Sequence, residues 1–149
     1  MAAFFFDTPV LVRRYDVTEP GAARIKAICD PVMGNEIVVA QLALGEVASA
    51  FRRKIREGIF NAPNLRQTWD LFQIHWREQY EVVNLSNAIC HLAERLRFAH
   101  SLKSYDAVHP STALIVAGVS REPDMVFCTA DKQQASVARR EGLGVELIP

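Results

Sequence analysis

Five short apolar runs, rich in valine, isoleucine and phenylalanine, recur along the chain and limit what it can fold into. They are nearly continuous rather than alternating, which is typical of strands that are buried on both faces of a sheet. No hairpin signal such as Asn-Gly joins one run to the next, so parallel pairing through helical crossovers is favoured. The predicted strands cover residues 2–6, 36–40, 81–85, 125–128 and 145–148.

The segments between these strands have helical periodicity. Residues 42–57 place Val47 and Phe51 on one face, and Gly58 follows where a C-terminal cap belongs. Strands that alternate with helices predict an α/β protein, a three-layer α/β/α fold with a mostly parallel central sheet. The other predicted helices cover residues 22–29, 64–79, 107–117 and 131–141, together with one that Ser86 caps.

The charge balance is even, with 17 Lys and Arg against 17 Asp and Glu in 149 residues. This length suits one compact core without disulfides, and we expect a single domain over residues 1–149. The longest uncharged apolar stretches fall short of the roughly 20 residues that a membrane span requires. We therefore expect a cytoplasmic protein without a membrane partner, in which any affinity for nucleic acid comes from local basic clusters.

Four acidic residues lie where an α/β sheet places its ligands. Asp7 directly follows the first predicted strand and Asp131 follows the fourth, while Glu46 and Asp106 stand near the starts of helices. Ligands of parallel sheets bind outside the carboxyl ends of the strands. If the four carboxylates converge there, their repulsion requires a cation, and Mg²⁺ or Mn²⁺ suits oxygen ligands. Helix capping is the simpler interpretation for Asp106 and equally simple for Asp131.

Four sequence motifs, in order along the chain, carry a resemblance to a known family. They read FFFDT at 4–8, EVASAF at 46–51, YDAVH at 105–109 and FCTADK at 127–132, followed by ARREGL at 138–143. In order and spacing they resemble the PIN domain family, specifically the VapC-type toxin ribonucleases of type II toxin–antitoxin systems. The resemblance spans essentially the whole chain and implies a PIN-like fold.

The resemblance also implies a function and the residues that perform it. It implies a metal-dependent endoribonuclease in which a Mg²⁺- or Mn²⁺-activated water cleaves RNA. A cognate antitoxin and a homodimer are the implied protein partners. The implied catalytic and metal-binding residues are Asp7, Glu46, Asp106 and Asp131, supported by the hydroxyls of Thr8 and Thr129.

Basic residues near two of the acids are candidates for RNA binding. Arg13 and Arg14 follow Asp7 closely in sequence, and Arg52 and Arg53 belong to the helix that carries the second acid. Phosphate neutralisation provides much of the affinity of RNA-binding proteins. A solvated helix face explains such clusters equally well.

An aromatic stripe runs along the helix predicted over residues 64–79. Trp69, Phe72, Trp76 and Tyr80 recur at spacings of three and four. Packing against the core is the favoured interpretation, and a partner surface is the alternative.

Two prolines depart from the family pattern. Pro9 stands where the family usually has a small polar residue, and Pro110 stands where leucine is usual. These departures leave open a catalytically weakened PIN-fold module that binds RNA or an antitoxin. Pro9 also replaces the second aspartate that haloacid-dehalogenase-like phosphatases need, which disfavours that class. His109 is predicted to be packed or hydrogen-bonded rather than a ligand.

Overall fold

A single parallel sheet organises the molecule. The computed structural model describes residues 2–103, 106–120 and 124–149. Its strands are β1 (Ala3–Phe6), β2 (Glu36–Ala40), β3 (Tyr80–Val83), β4 (Val126–Thr129) and β5 (Gly144–Leu147). Within the described ranges they form one sheet in the order β3-β2-β1-β4-β5, and every neighbouring pair is parallel.

Three consecutive phenylalanines in β1 explain why the strand runs are continuous. Phe4 and Phe6 belong to the core on one face of the sheet, whereas Phe5 packs with Phe127 in the core on the other face. Because β1 is the central strand, its side chains are buried on both faces. The predicted three-layer α/β/α fold is confirmed.

Helices cover both faces of the sheet. Residues of α1 to α4 join the core around Phe4 and Phe6, α6 and α7 join the core around Phe5, and α5 packs against α6. None of the described helices combines the length and apolar character needed to cross a membrane. The helices are α1 (Thr8–Arg13), α2 (Ala22–Ile28), α3 (Ala43–Arg56), α4 (Ala62–Glu78), α5 (Asn87–Ala99), α6 (Val108–Ser120) and α7 (Lys132–Arg140), with a short 3-10 helix at Pro31–Met33.

The short helix α1 was not predicted, because the segment after β1 has the composition of a turn. Asp7 caps this helix by accepting a hydrogen bond from the Val10 N–H at 3.0 Å. Pro9 lies in the first turn, where a backbone N–H has no helical partner and a fixed φ favours the helix. Pro110 is likewise in the first turn of α6. Both family departures are therefore compatible with the helices that contain them.

Several predicted boundaries differ from the observed ones by one to three residues, including those of α4 and β3. The helix predicted from residue 64 begins at Ala62, because Asn61 rather than Asn64 is its cap, and the Asn61 side chain accepts from the Asn64 N–H at 2.9 Å. Strand β3 begins at Tyr80 and ends at Val83, where the prediction covered 81–85. A single capping hydrogen bond therefore decides where α4 begins. The predicted helix and strand are both present, and only their ends differ.

The aromatic stripe of α4 packs on the core, as its favoured interpretation predicts. Phe72 and Tyr80 are buried in the same core as Phe51, and Trp69 and Trp76 pack against that core while partly exposed. The rings of Trp69 and Trp76 lie 5.2 and 5.6 Å from that of Phe72. The stripe therefore serves to anchor α4.

Candidate active site

Asp7 lies at the carboxyl end of the central strand and is completely buried. One carboxylate oxygen accepts from the Val10 N–H, and the other accepts from Thr129 Oγ1 at 2.5 Å. Burial raises the pKa of Asp7 above its ordinary value, because the hydrogen bond from Thr129 and nearby positive charge offset the loss of water only in part. In the metal-free protein, ionisation of the Asp7 carboxyl group therefore lowers the stability of the fold.

Thr129 connects Asp7 to the neighbouring strand end. Its side chain is fully buried at the end of β4, whose Cys128 pairs in register with Phe6 of β1. While the hydroxyl donates to Asp7, it accepts the backbone N–H of Asp131 at 3.0 Å. One hydroxyl thus joins two of the acids that the sequence analysis selected.

Glu46 lies in the first turn of α3 and is half-buried. Its Oε1 atom accepts two hydrogen bonds, from Thr8 Oγ1 at 2.7 Å and from His109 Nε2 at 2.8 Å. Burial alone would raise the pKa of Glu46, but the bonds from His109 and Thr8 outweigh it and hold the pKa below its usual range. Since both donors meet at Oε1, the other oxygen, Oε2, has no protein partner in the described part of the chain.

His109 is the neighbour of Glu46 that sequence reasoning did not connect to it. The ring is 4% exposed in α6, with its centroid 6.3 Å from that of Phe5 in an edge-on contact. Because the ionised Glu46 carboxylate only accepts, His109 Nε2 carries the hydrogen of this bond. Its Nδ1 atom is buried without a hydrogen-bond partner among the described residues. The prediction of a packed, hydrogen-bonded histidine is confirmed, and its partner lies 63 residues away.

The carboxylates of the other two predicted acids form no hydrogen bond with Asp7 or Glu46. Asp131 is exposed and caps α7, with one oxygen accepting the N–H groups of Gln133 and Gln134 at 2.8 and 3.0 Å. Asp106 lies in the turn before α6, half-buried, and its carboxylate forms no hydrogen bond or ion pair with another described residue. Tyr105 of the same motif lies outside the described residues. The capping interpretation of Asp131 is therefore confirmed.

Arg13 is held by backbone groups. Its guanidinium donates to the carbonyl oxygens of Pro9, Pro20 and Pro149 at 2.9, 2.9 and 3.0 Å. The bond to Pro149 links the segment after β5 to α1, and the three bonds together explain the position of Arg13 without RNA.

Arg14 does not lie beside the acids, although it is seven residues from Asp7. Successive residues of a helix project about 100° apart, and Arg14, the cap of α1, contacts Tyr80 and His75 instead. Tyr80 begins β3, so Arg14 lies near the opposite edge of the sheet. The prediction that nearness in sequence places Arg14 at the site was wrong.

Arg52 and Arg53 are successive residues of α3, so they project about 100° apart and line different hollows. Arg53 lines a groove of about 900 Å³ that Thr8 and Glu46 also line. Arg52 instead lines a smaller hollow beside Trp69 on the far side of α3. Of these two arginines, only Arg53 lines the same groove as Glu46.

The groove next to Glu46 carries positive charge. Arg13, Arg53 and Arg56 line it, and none of the three has an ion-pair partner within the described ranges. Lys54 also lines it, but its ammonium is neutralised by Asp16 at 2.5 Å and Glu19 at 2.9 Å. Glu57 lines the groove with the opposite charge, so the net positive charge of the groove is small.

Comparison with known proteins identifies the fold. No family model and no curated protein sequence matches the chain. The structure of VapBC2 from Rickettsia felis, bound to a DNA fragment from their promoter, has 12% identity over 99% of each chain and a TM-score of 0.65. FitAcB from Neisseria gonorrhoeae has 12% identity over 95% of each chain with a TM-score of 0.60. PAE2754 from Pyrobaculum aerophilum has 14% identity over 97% of this chain and 90% of its own, with a TM-score of 0.61.

The chain has a PIN-like fold. At these sequence identities the comparison establishes the fold, and the chemistry of the site has to be argued from its residues.

The donor set of this PIN-like fold fits a hydrated Mg²⁺ or Mn²⁺. The part of the chain that the structure describes holds no group of three or more His, Cys, Asp and Glu side chains arranged to bind a metal. However, Mg²⁺ keeps several waters and is commonly held by one or two carboxylates. Glu46 presents the unpartnered Oε2, and the buried Asp7 carboxylate would gain from a nearby cation.

We expect His109→Leu to raise the pKa of Glu46. The leucine fills the apolar surroundings but removes one of the two donors that stabilise the charged carboxylate at Oε1. Carboxyl NMR measures this pKa.

His109→Gln, whose amide can donate in the same direction, is the matched control and should keep the pKa of Glu46 closer to that of the parent. An unchanged Glu46 pKa in His109→Leu would contradict the role assigned to the hydrogen bond at Oε1.

Proposed function

We propose that this protein is a metal-dependent endoribonuclease, the toxin of a toxin–antitoxin pair. The observation that carries the proposal is that the buried carboxylate of Asp7 is followed directly by Thr8, whose hydroxyl orients a second carboxylate, Glu46, beside a groove of small net positive charge. Carboxylates repel RNA, so their placement next to a phosphate-binding surface makes sense when a divalent cation lies between them and the substrate.

The acids have distinct tasks in this proposal. Asp7 and Glu46 would hold the cation, with Asp131 and Asp106 as further oxygen ligands reached through water. The chemistry that a bound Mg²⁺ or Mn²⁺ supplies is a lowered pKa of coordinated water and charge stabilisation at the scissile phosphate. Thr8 and His109 hold Oε1 of Glu46, which leaves Oε2 directed to ligands. Thr129 fixes the Asp7 carboxylate in the same way.

The groove would bind the RNA backbone. Arg53 and Arg56 line it and form no ion pair with a described residue, so each can neutralise a phosphate, although Glu57 also lines the groove. A groove that continues from Glu46 would lead the strand past the acids and place one phosphodiester beside them.

A protein partner is part of the proposal. VapBC2 and FitAcB, whose structures match this chain over nearly its full length, support a cognate antitoxin as the regulator. A homodimer follows from the family resemblance alone.

Cleavage of a mixed pool of transfer and messenger RNA tests the proposal. The purified protein should give discrete products in Mg²⁺ or Mn²⁺ and none in chelator, and Asp7→Asn, purified identically, should give none in either. Equal cleavage by the variant and the parent would show a contaminating nuclease and would contradict the assigned site.

The alternative is a catalytically weakened module that binds RNA or an antitoxin. It is favoured by the lack of a group of three metal-binding side chains among the residues described. Such a module would bind the RNA pool without cleaving it and would show no stabilisation by Mg²⁺ or Mn²⁺.

Arg53→Gln should weaken RNA binding at low salt and reduce the salt dependence of binding. Loss of one phosphate contact to single-stranded RNA lowers the slope of log K against log salt by about 0.7. Fluorescence anisotropy with labelled RNA in chelator, between low and physiological salt, measures this slope.

Arg52→Gln is the matched control, since it removes the same charge from the adjacent residue but faces a different hollow. Equal effects of the two substitutions would show that net charge, and not the groove, governs binding.

A further inference from the structure

A second polar cluster lies near the edge of the sheet opposite the acids. Arg14 donates to Tyr80 Oη at 2.7 Å and contacts His75 Nε2 at 3.3 Å. Tyr15 Oη lies 2.8 Å from His75 Nδ1 and 2.5 Å from Tyr80 Oη. Tyr80 begins β3, whereas Asp7 follows the end of β1, and the two strands run parallel to β2 between them. The cluster is therefore separate from the candidate active site.

The positive charge of Arg14 has no counterion in this cluster. The guanidinium is half-buried against the rings of Tyr15 and Tyr80, 5.9 and 5.5 Å from their centroids. None of the carboxylates that the structure describes forms an ion pair with it. A guanidinium shielded from water is ordinarily paired with a carboxylate or phosphate. Arg14 therefore lacks an anionic partner, which a guanidinium in such surroundings ordinarily has.

The neighbours of Arg14 stay neutral near pH 7, so they do not supply the missing charge. Burial and the charge of Arg14 lower the pKa of His75 to about 4. Burial raises the pKa of Tyr80 to about 12 and raises that of Tyr15 as well. The hydrogen bonds of this cluster therefore position the guanidinium but do not neutralise its positive charge.

A hollow of about 410 Å³ opens beside this guanidinium. Lys26 and Thr68 line it and can donate to an anion, while Tyr15 and Leu71 provide an apolar wall. Asp30 is also at the rim, but its carboxylate accepts the Val32 N–H at 3.0 Å. Two cations against one carboxylate leave the hollow net positive, and its volume is in the range of small-molecule sites.

We propose that this hollow binds a nucleoside monophosphate, with the phosphate between Arg14 and Lys26 and the base against Tyr15 and Leu71. The guanidinium has a fork of N–H donors of which the tyrosine and the histidine use only part, and such forks match phosphate oxygens. Leu71 is exposed at the hollow, and Tyr15 lines it with the part of its side chain that Phe51, Phe72 and His75 leave uncovered, so together they give a base an apolar surface. The site does not depend on the proposed nuclease activity.

Isothermal titration at constant ionic strength, in chelator, tests this site with inorganic phosphate, adenosine 5′-monophosphate and adenosine. We expect the monophosphate to bind about tenfold more tightly than phosphate, and adenosine to bind least. Lys26→Met should weaken binding of the monophosphate about three- to tenfold, and Arg14→Met should weaken it more than tenfold.

Arg97→Met, which removes an exposed charge on α5, is the matched control and should bind like the parent. If Arg14→Met does not fold, as circular dichroism would show, Lys26→Met decides, because Lys26 is exposed and outside the network. The proposal is overturned if the parent binds neither phosphate nor the monophosphate at millimolar concentration. Equal affinity for the two ligands, or equal losses in Lys26→Met and Arg97→Met, would also overturn it.

Discussion

Replacing Asp7 with asparagine should raise the free energy of unfolding of the metal-free protein and abolish its metal-dependent cleavage of RNA. The carboxylate is fully buried, and burial raises its pKa, so its charged form is disfavoured in the folded state. Asparagine has the same shape and can keep the bond from the Val10 N–H while facing Thr129 with a donor. The same change removes a proposed metal ligand, and the proposed cleavage should fall by about a thousandfold or more.

The pH dependence of this effect follows from the direction of the pKa shift. A carboxyl group whose folded pKa is raised contributes its stability below the unfolded pKa, near 3.9, and loses it as the pH rises through the folded pKa. The stability gained by Asp7→Asn should therefore be largest above the folded pKa of Asp7 and should shrink toward pH 4.

Urea unfolding in chelator, from acidic to neutral pH, measures the first effect. Initial rates of cleavage measure the second, and titration with Mg²⁺ or Mn²⁺ at neutral pH tests its cause, because the parent should be stabilised by the cation and Asp7→Asn should not. Asp124→Asn, at an exposed position, is the matched control and should change neither value. A variant that is less stable at neutral pH, or that still responds to the cation, would contradict the electrostatic account of Asp7.

The sheet could be predicted from the sequence because burial of apolar side chains on both faces determines it. A run such as Phe4-Phe5-Phe6 buries all its apolar side chains only when a core lies on each face of the strand. Two such cores require helices on both faces of the sheet. The position of Asp7 followed from the same rule, since the end of a central parallel strand lies at the edge where ligands bind.

The partners of the acids could not be predicted in the same way. His109 and Glu46 are 63 residues apart, and their contact depends on how α6 and α3 pack beside the sheet. Arg14 was misplaced because a helix one to two turns long carries neighbouring residues to different faces, and α1 itself was not predicted. Sequence patterns establish the burial of an element, whereas side-chain partners depend on its rotation and length.

Replacing Thr129 with valine should destabilise the protein by about 1–3 kcal/mol at neutral pH, which is the cost of leaving a buried polar group without its hydrogen bond. Valine keeps the shape of threonine but removes the hydroxyl that donates to Asp7 and accepts the N–H of Asp131. The buried carboxylate then has the Val10 N–H as its remaining hydrogen-bond donor among the described residues. Cleavage should also fall by about 10–100-fold, since the ligand is less well held.

Thr129→Ser separates the hydroxyl from the methyl group, because serine retains the donor and acceptor and should retain most of the stability and cleavage. A double-mutant cycle then locates the cost. If the loss in Thr129→Val arises from the charge of Asp7, it should be smaller in the Asp7→Asn background, with a coupling free energy of about 0.5–3 kcal/mol. Additive losses would place the cost of Thr129→Val in the Asp131 N–H instead, and would mean that Thr129 acts on the turn into α7 rather than on the buried carboxylate.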